Sequence, residues 1–174
     1  SGNGGDGIYC DWYCNPILNS VTISGNGGDG MHCNQHNDPI LSNVIISNNE
    51  GDGIYCFLNS DPILNDVIIS GNGGNGIYCD DSRAALSNVT ISNNEGDGFR
   101  CLDSYRIPTL SNVTISNNIG YGIFAQSSMQ ADSCNVIGHN YGAWNISSSN
   151  VVIVSNSYWR HSSGPYHLYD NPTG

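Results

Sequence analysis

The chain contains no lysine, and only four arginines stand against 15 Asp and Glu in its 174 residues, a formal net charge of −11. That shortage of positive charge excludes the basic stripe that nucleic acid or an anionic membrane surface would select, so neither is expected as a partner. No apolar run approaches the roughly 20 residues of a membrane-spanning helix, so no membrane insertion is expected either. No stretch of ten residues carries a 3.6-residue apolar period free of glycine, which excludes helical repeats.

What the chain does have is one stretch copied along its length. ILSNVIISNNEGDGIYC (Ile40 to Cys56) recurs as ILNSVTISGNGGDGMHC (Ile17 to Cys33) and ILNDVIISGNGGNGIYC (Ile63 to Cys79). Looser copies are ALSNVTISNNEGDGFRC (Ala85 to Cys101) and TLSNVTISNNIGYGIFA (Thr109 to Ala125). The glycine before the short apolar run falls at Gly7, Gly30, Gly53, Gly76, Gly98 and Gly122, in steps of 23, 23, 23, 22 and 24. A fixed period of this size is the signature of a repeat architecture. Val-Thr-Ile-Ser, Val-Ile-Ile-Ser and Gly-Ile-Tyr-Cys alternate with period two, as half-buried strands do. The Gly- and Asn-rich segments between them supply turn chemistry.

A unit of about 23 residues with short strands and sharp turns predicts one coil of a parallel β-helix, with each coil stacked about 4.8 Å above the last. Every position then becomes a column. Ile8, Met31, Ile54, Ile77, Phe99 and Ile123 form one inward column, and Cys10, Cys33, Cys56, Cys79 and Cys101 another, ending in Ala125. Val21 to Val136 and Ile23 to Ile137 line a second wall, and Leu18 to Leu110 a third. The expected fold is all-β, a right-handed parallel β-solenoid of about seven coils. Residues 1–157 hold the repeats and residues 158–174 form an irregular segment closing the last coil. Five of the seven cysteines lie in the inward column and read as small buried hydrophobes. Cys14 and Cys134 lie outside it, and a Cys10–Cys14 link stays open.

The most regular polar column is Asn3, Asn26, Asn49, Asn72, Asn94, Asn118 and Asn140, whose amides can bond to each other and to turn backbone. A second set precedes the valine strand: Asn43, Asn88, Asn112, Asn135 and Asn150, with Ser20 and Asp66 as exceptions. The pattern N-V-x-I-S-x-N-x-G-x-G-I-Y resembles the right-handed parallel β-helix repeats of the pectate-lyase-like superfamily and of bacterial surface proteins. The resemblance covers residues 1 to about 160. Asn156 to His167 is similar to the N-x-W-W-G-x-x-S-G-P segment that closes such helices in large secreted bacterial proteins, with Arg160 where glycine is usual. The chain opens in mid-repeat at Ser1, which suggests a piece of something longer.

Length varies only between the column cysteine and the leucine, and insertions of this kind gather on one face, where repeat proteins bind. Beside those loops runs an outward column of Tyr9, His32, Tyr55, Tyr78, Arg100, Phe124 and Trp144. If the chain binds a glycan, this column is the platform, rimmed by Trp12, Tyr13, His36, Asp80, Asp81, Arg83 and Tyr105. Asp6, Asp29, Asp52 and Asp97 also form a column, interrupted by Asn75. These carboxylates either splay into water or hold structural calcium; no other cofactor is expected.

The resemblance also raises carbohydrate chemistry. Polygalacturonase-like hydrolysis needs clustered aspartates; Asp80-Asp81 is the one adjacent pair, and Gly138-His139 matches one partner motif, but the remaining motifs are missing. Lyase chemistry needs a basic residue near bound calcium, for which Arg83 and Arg106 are the candidates. Asn88, Asn112 and Asn145 fit the glycosylation pattern, but the first two follow from the repeat. The favoured expectation is a non-catalytic structural or adhesive module of an extracellular or cell-surface bacterial protein, stacking end to end into a filament. The alternative is a polysaccharide-active enzyme or a fragment of one.

Overall fold

The computed structural model describes residues 2–102, 106–126 and 128–145, together with the strands Val152–Ser155, Tyr158–Trp159 and Tyr166–His167. One coil holds three short strands, as in Ile54–Phe57, Ile63–Asn65 and Ile68–Ser70. Residues with left-handed backbone separate them. Leu58 and Asn59 (φ 49° and 61°) turn the chain after the first strand, Asp66 (φ 55°) after the second and Gly71 (φ 67°) after the third. Asn, Asp and Gly tolerate this region best, which is why the repeat keeps them at its corners. The set preceding the valine strand is explained in this way: Ser20, Asn43, Asp66, Asn88, Asn112 and Ser133 all have φ between 54° and 57°.

Each strand pairs in parallel with its own copy in the next coil. Three sheets result: one of eight strands from Ile8–Asp11 to Tyr166–His167, one of seven from Ile17–Asn19 to Val152–Ser155, and one of seven from Thr22–Ser24 to Tyr158–Trp159. The described residues contain no helix. The fold is the all-β parallel solenoid that the repeat predicts, and the strand counts agree closely with seven coils.

The inward columns close the core. Met31, Ile54, Ile77 and Phe99 are fully buried in register with one another, and so are Cys33, Cys56, Cys79 and Cys101 beside them. Leu41 to Leu110, Val44 to Val113 and Ile46 to Ile115 complete the lining. All seven cysteines are free thiols, Cys14 alone exposed. Hydrogen bonding to Cys33 and Cys79, followed by burial, holds the Cys56 thiol well above its ordinary pKa. Glycine is required before the Ile-Tyr-Cys strand because a Cβ on Gly53 would lie 2.5 Å from the Gly76 carbonyl oxygen and 3.0 Å from Asn72 Nδ2.

The coil of Met129–Asp132 and Asn135–Ile137 corrects three sequence assignments. Ile115 pairs with Val136 and Ser116 with Ile137, so Ile137 is not in the isoleucine column. Val136 takes that place, and Cys134, buried like the valines, ends the column of Val113. Likewise the residue in register with Asn112 is Ser133, whereas Asn135 pairs with Thr114. Asn150 lies outside the described residues. The coil is two residues shorter than an identity match from Val113 to Val136 assumes. A shift of two leaves every side chain on its own face, so the alternation of apolar and polar residues gave no warning.

Candidate functional site

Three polar ladders run along the solenoid. In the first, Asn26, Asn49, Asn72, Asn94 and Asn118 are buried, and Oδ1 of Asn49, Asn72, Asn94 and Asn118 accepts both the backbone N–H and the amide of the preceding rung. Asn72 shows the pattern: its N–H and Nδ2 donate to Asn94 Oδ1 at 3.0 and 2.9 Å. Asn3 enters the ladder by donating its N–H to Asn26 Oδ1. Asn140 does not belong to it. The rung after Asn118 is His139, whose Nδ1 accepts the Asn118 N–H at 3.2 Å while Nε2 lies 3.0 Å from the Ile115 carbonyl. Those partners assign the proton to Nε2. Asn140 is exposed and bonds the Ile119 carbonyl instead. His139 is thereby committed to the ladder rather than presented as a catalytic partner.

The aspartate column has the opposite polarity. Oδ1 of Asp6, Asp29, Asp52 and Asp97 accepts the backbone N–H of Asp29, Asp52, Asn75 and Tyr121 in the following coil, at 2.5 to 2.7 Å. Asn75 does the same for Asp97 at 2.9 Å. The first glycine of Gly-Asn-Gly or Gly-Asp-Gly makes room for this contact, since a Cβ on Gly74 would collide with Asp52 Oδ1. The second oxygens face the aromatic column. Asp97 Oδ2 pairs with Arg100 at 2.8 Å, and Asp29 Oδ2 with His32 at 2.9 Å. Asp52 lies between these two rungs; burial, reinforced by the charge of Asp29, lifts its carboxyl from 3.8 to about 6.

A third ladder was not legible in the sequence. Cys14 N–H donates to Asn37 Oδ1, Asn37 N–H to Ser60 Oγ, and Ser60 N–H to Ser82 Oγ. Cys, Asn and Ser share little as letters, and their distance from the column cysteine is four residues for Cys14, Asn37 and Ser60 but three for Ser82, so neither identity nor spacing marks the ladder. Beside it Asp38 and Asp61 accept the backbone N–H groups of Asp61 and Arg83. Arg83 and Arg106 both pair with Asp61 Oδ2, at 3.7 and 2.6 Å, and Arg106 also bonds Asn59. Asp38, Asp61 and Arg83 edge an open groove with Ile63 and Ile107.

The proposed glycan platform exists as a column: Tyr9, His32, Tyr55, Tyr78, Arg100, Phe124 and Trp144 stand in register. Its rings, however, stack on one another. His32 and Tyr55 lie 4.6 Å apart and Tyr55 and Tyr78 5.1 Å apart at 9° between planes. The Arg100 guanidinium sits 4.2 Å over Phe124 and 6.0 Å from Tyr78. The ring faces of His32, Tyr55 and Tyr78 that would meet a sugar are covered by neighbouring rungs, and burial pushes the Tyr55 and Tyr78 phenols above their ordinary pKa. Of the rim residues, Trp12 (59% exposed) and Tyr13 (68%) project from left-handed corners, and Tyr13 stacks on His36 at 5.1 Å. Asp80 ends its strand in register with Phe57, and Asp81 occupies a left-handed corner. Tyr105 lies outside the described residues.

Residues 1–108 match the family model described as the right-handed β-helix region, and the chain belongs to that family. The expected superfamily, the pectate-lyase-like one, agrees with this match. No curated protein and no solved structure matches the chain.

Two predictions follow from the ladders. Asn72→Ala leaves the Asn49 N–H and amide without their acceptor, at about 1–3 kcal/mol for each orphaned group. Asn140→Ala, on an exposed residue, should change stability by less than about 1 kcal/mol. Urea melts of the two variants check the contrast. For Asp52 the folded-state pKa of about 6 exceeds the ordinary 3.8, so the fold favours the protonated form. Its contribution is fully present below the unfolded pKa and lost as pH rises through about 6. Asp52→Asn, which keeps the acceptor as Asn75 does, should therefore raise stability at neutral pH by about 1–3 kcal/mol and flatten the slope across that window.

Proposed function

We propose that the chain is a non-catalytic structural or adhesive β-solenoid module of an extracellular or cell-surface bacterial protein. One observation carries this reading: the aspartates of the ladders and three of the arginines are already engaged within the chain. Six aspartates, Asp6, Asp29, Asp38, Asp52, Asp61 and Asp97, each give an oxygen to a backbone N–H of the next coil. A glycosidase carboxylate needs an oxygen facing substrate and a second carboxylate across from it. A lyase arginine needs to face an acidic sugar, whereas Arg83, Arg100 and Arg106 face aspartates of their own chain. The parallel edge pairing that joins coil to coil also suits end-to-end association of copies, because an open sheet edge presents unpaired N–H and C=O groups.

The groove of Asp38, Asp61, Ile63, Arg83 and Ile107 favours the second reading, action on a polysaccharide. Incubation of the chain with acidic and neutral polysaccharides separates the two. The structural reading expects neither new reducing ends nor unsaturated sugars. Turnover that disappears in Arg106→Ala would replace it with the enzymatic one.

A further inference from the structure

At the start of the aspartate column, two carboxylates and an imidazole converge. Asp6 Oδ2 lies 3.9 Å and Asp29 Oδ2 2.9 Å from Nδ1 of His32, and one oxygen from each aspartate and one ring nitrogen all fall within 4.8 Å of one another. Among the described residues this is the set of three such donors. We propose that Asp6, Asp29 and His32 bind a divalent first-row transition metal.

Three features of the fold support the assignment. Each carboxylate is oriented by its other oxygen, which accepts a backbone N–H from the following coil at 2.7 Å. Such outer contacts fix ligands in functional metal sites. The imidazole is held between Tyr9 at 5.1 Å and Tyr55 at 4.6 Å, which sets its plane while Nδ1 faces the acids. The three side chains keep 17 to 25% exposure, so an ion and its remaining waters can reach them.

The electrostatics point the same way. A single proton on Nδ1 hydrogen-bonds one carboxylate, whereas a divalent cation would neutralise both and take the nitrogen lone pair. An imidazolium would release that proton to solvent; a neutral ring would carry its proton on Nε2 instead. The mixed nitrogen and oxygen set favours zinc or its first-row neighbours over calcium, which prefers oxygen alone. The equivalent rung at Asp97 shows the contrast, since its partner is Arg100, which supplies charge but no lone pair.

The test is calorimetric titration of the untagged, metal-stripped chain with zinc, in a Cys14→Ser background that removes the exposed thiol. Cobalt serves as the spectroscopic probe. Asp29→Asn keeps the Oδ1 that accepts the Asp52 N–H, as Asn75 does in the same column, so it removes a charged ligand without removing a rung. Saturable one-to-one binding, weakened at least about tenfold by Asp29→Asn and by His32→Gln, is the expected result. Absence of saturable zinc binding below millimolar concentration overturns the proposal. So does zinc affinity that neither variant changes, or binding of calcium as tight as that of zinc.

Discussion

The structure depends on the in-register parallel pairing of each strand with its own copy one coil away. Once Ile54 pairs with Ile77, every residue of the coil is placed beside its equivalent, and the side-chain contacts of the molecule become contacts between like positions. Apolar positions then bury one another without any coil having a core of its own. Polar positions face a stricter demand, because a buried amide or carboxylate must find its partners in the adjacent rung. The Asn ladder meets that demand with a side chain that both donates and accepts.

The two main ladders resolve the problem in opposite directions. Asn side chains accept from the preceding coil, and Asp side chains accept from the following one. A carboxylate cannot donate, so the aspartate column gains no side-chain-to-side-chain bond between its own rungs except at Asn75, whose amide reaches Asp52 at 3.0 Å. Like charges are therefore held near each other, and the column answers with Arg100 at one rung, His32 at another and a raised carboxyl pKa at Asp52 between them. The same constraint that makes the fold regular thus creates the local electrostatic conflict from which a metal site can arise.

Much of this was legible in the sequence because one column repeats one residue type. The cysteine, leucine and isoleucine walls and the Asn rungs from Asn3 to Asn118 were readable by spacing alone. The coil of Met129–Asp132 and Asn135–Ile137 was not. Matching Val113 to Val136 by identity overlooks a two-residue shortening that preserves facing, and it hid the roles of Cys134 and His139. The Cys14, Asn37, Ser60 and Ser82 ladder was hidden because chemically different residues occupy one geometric position. The aromatic column was visible as a column, but spacing says nothing about ring orientation. Only coordinates show that its faces are turned toward each other.

The most direct test of the ladder account is amide hydrogen exchange at single-residue resolution on the native chain. Backbone and side-chain amides of Asn49, Asn72 and Asn94 are buried and doubly engaged, and should exchange only on global unfolding. Exchange of these amides as fast as that of exposed Asn140 would contradict the claim that the buried Asn rungs hold the coils in register.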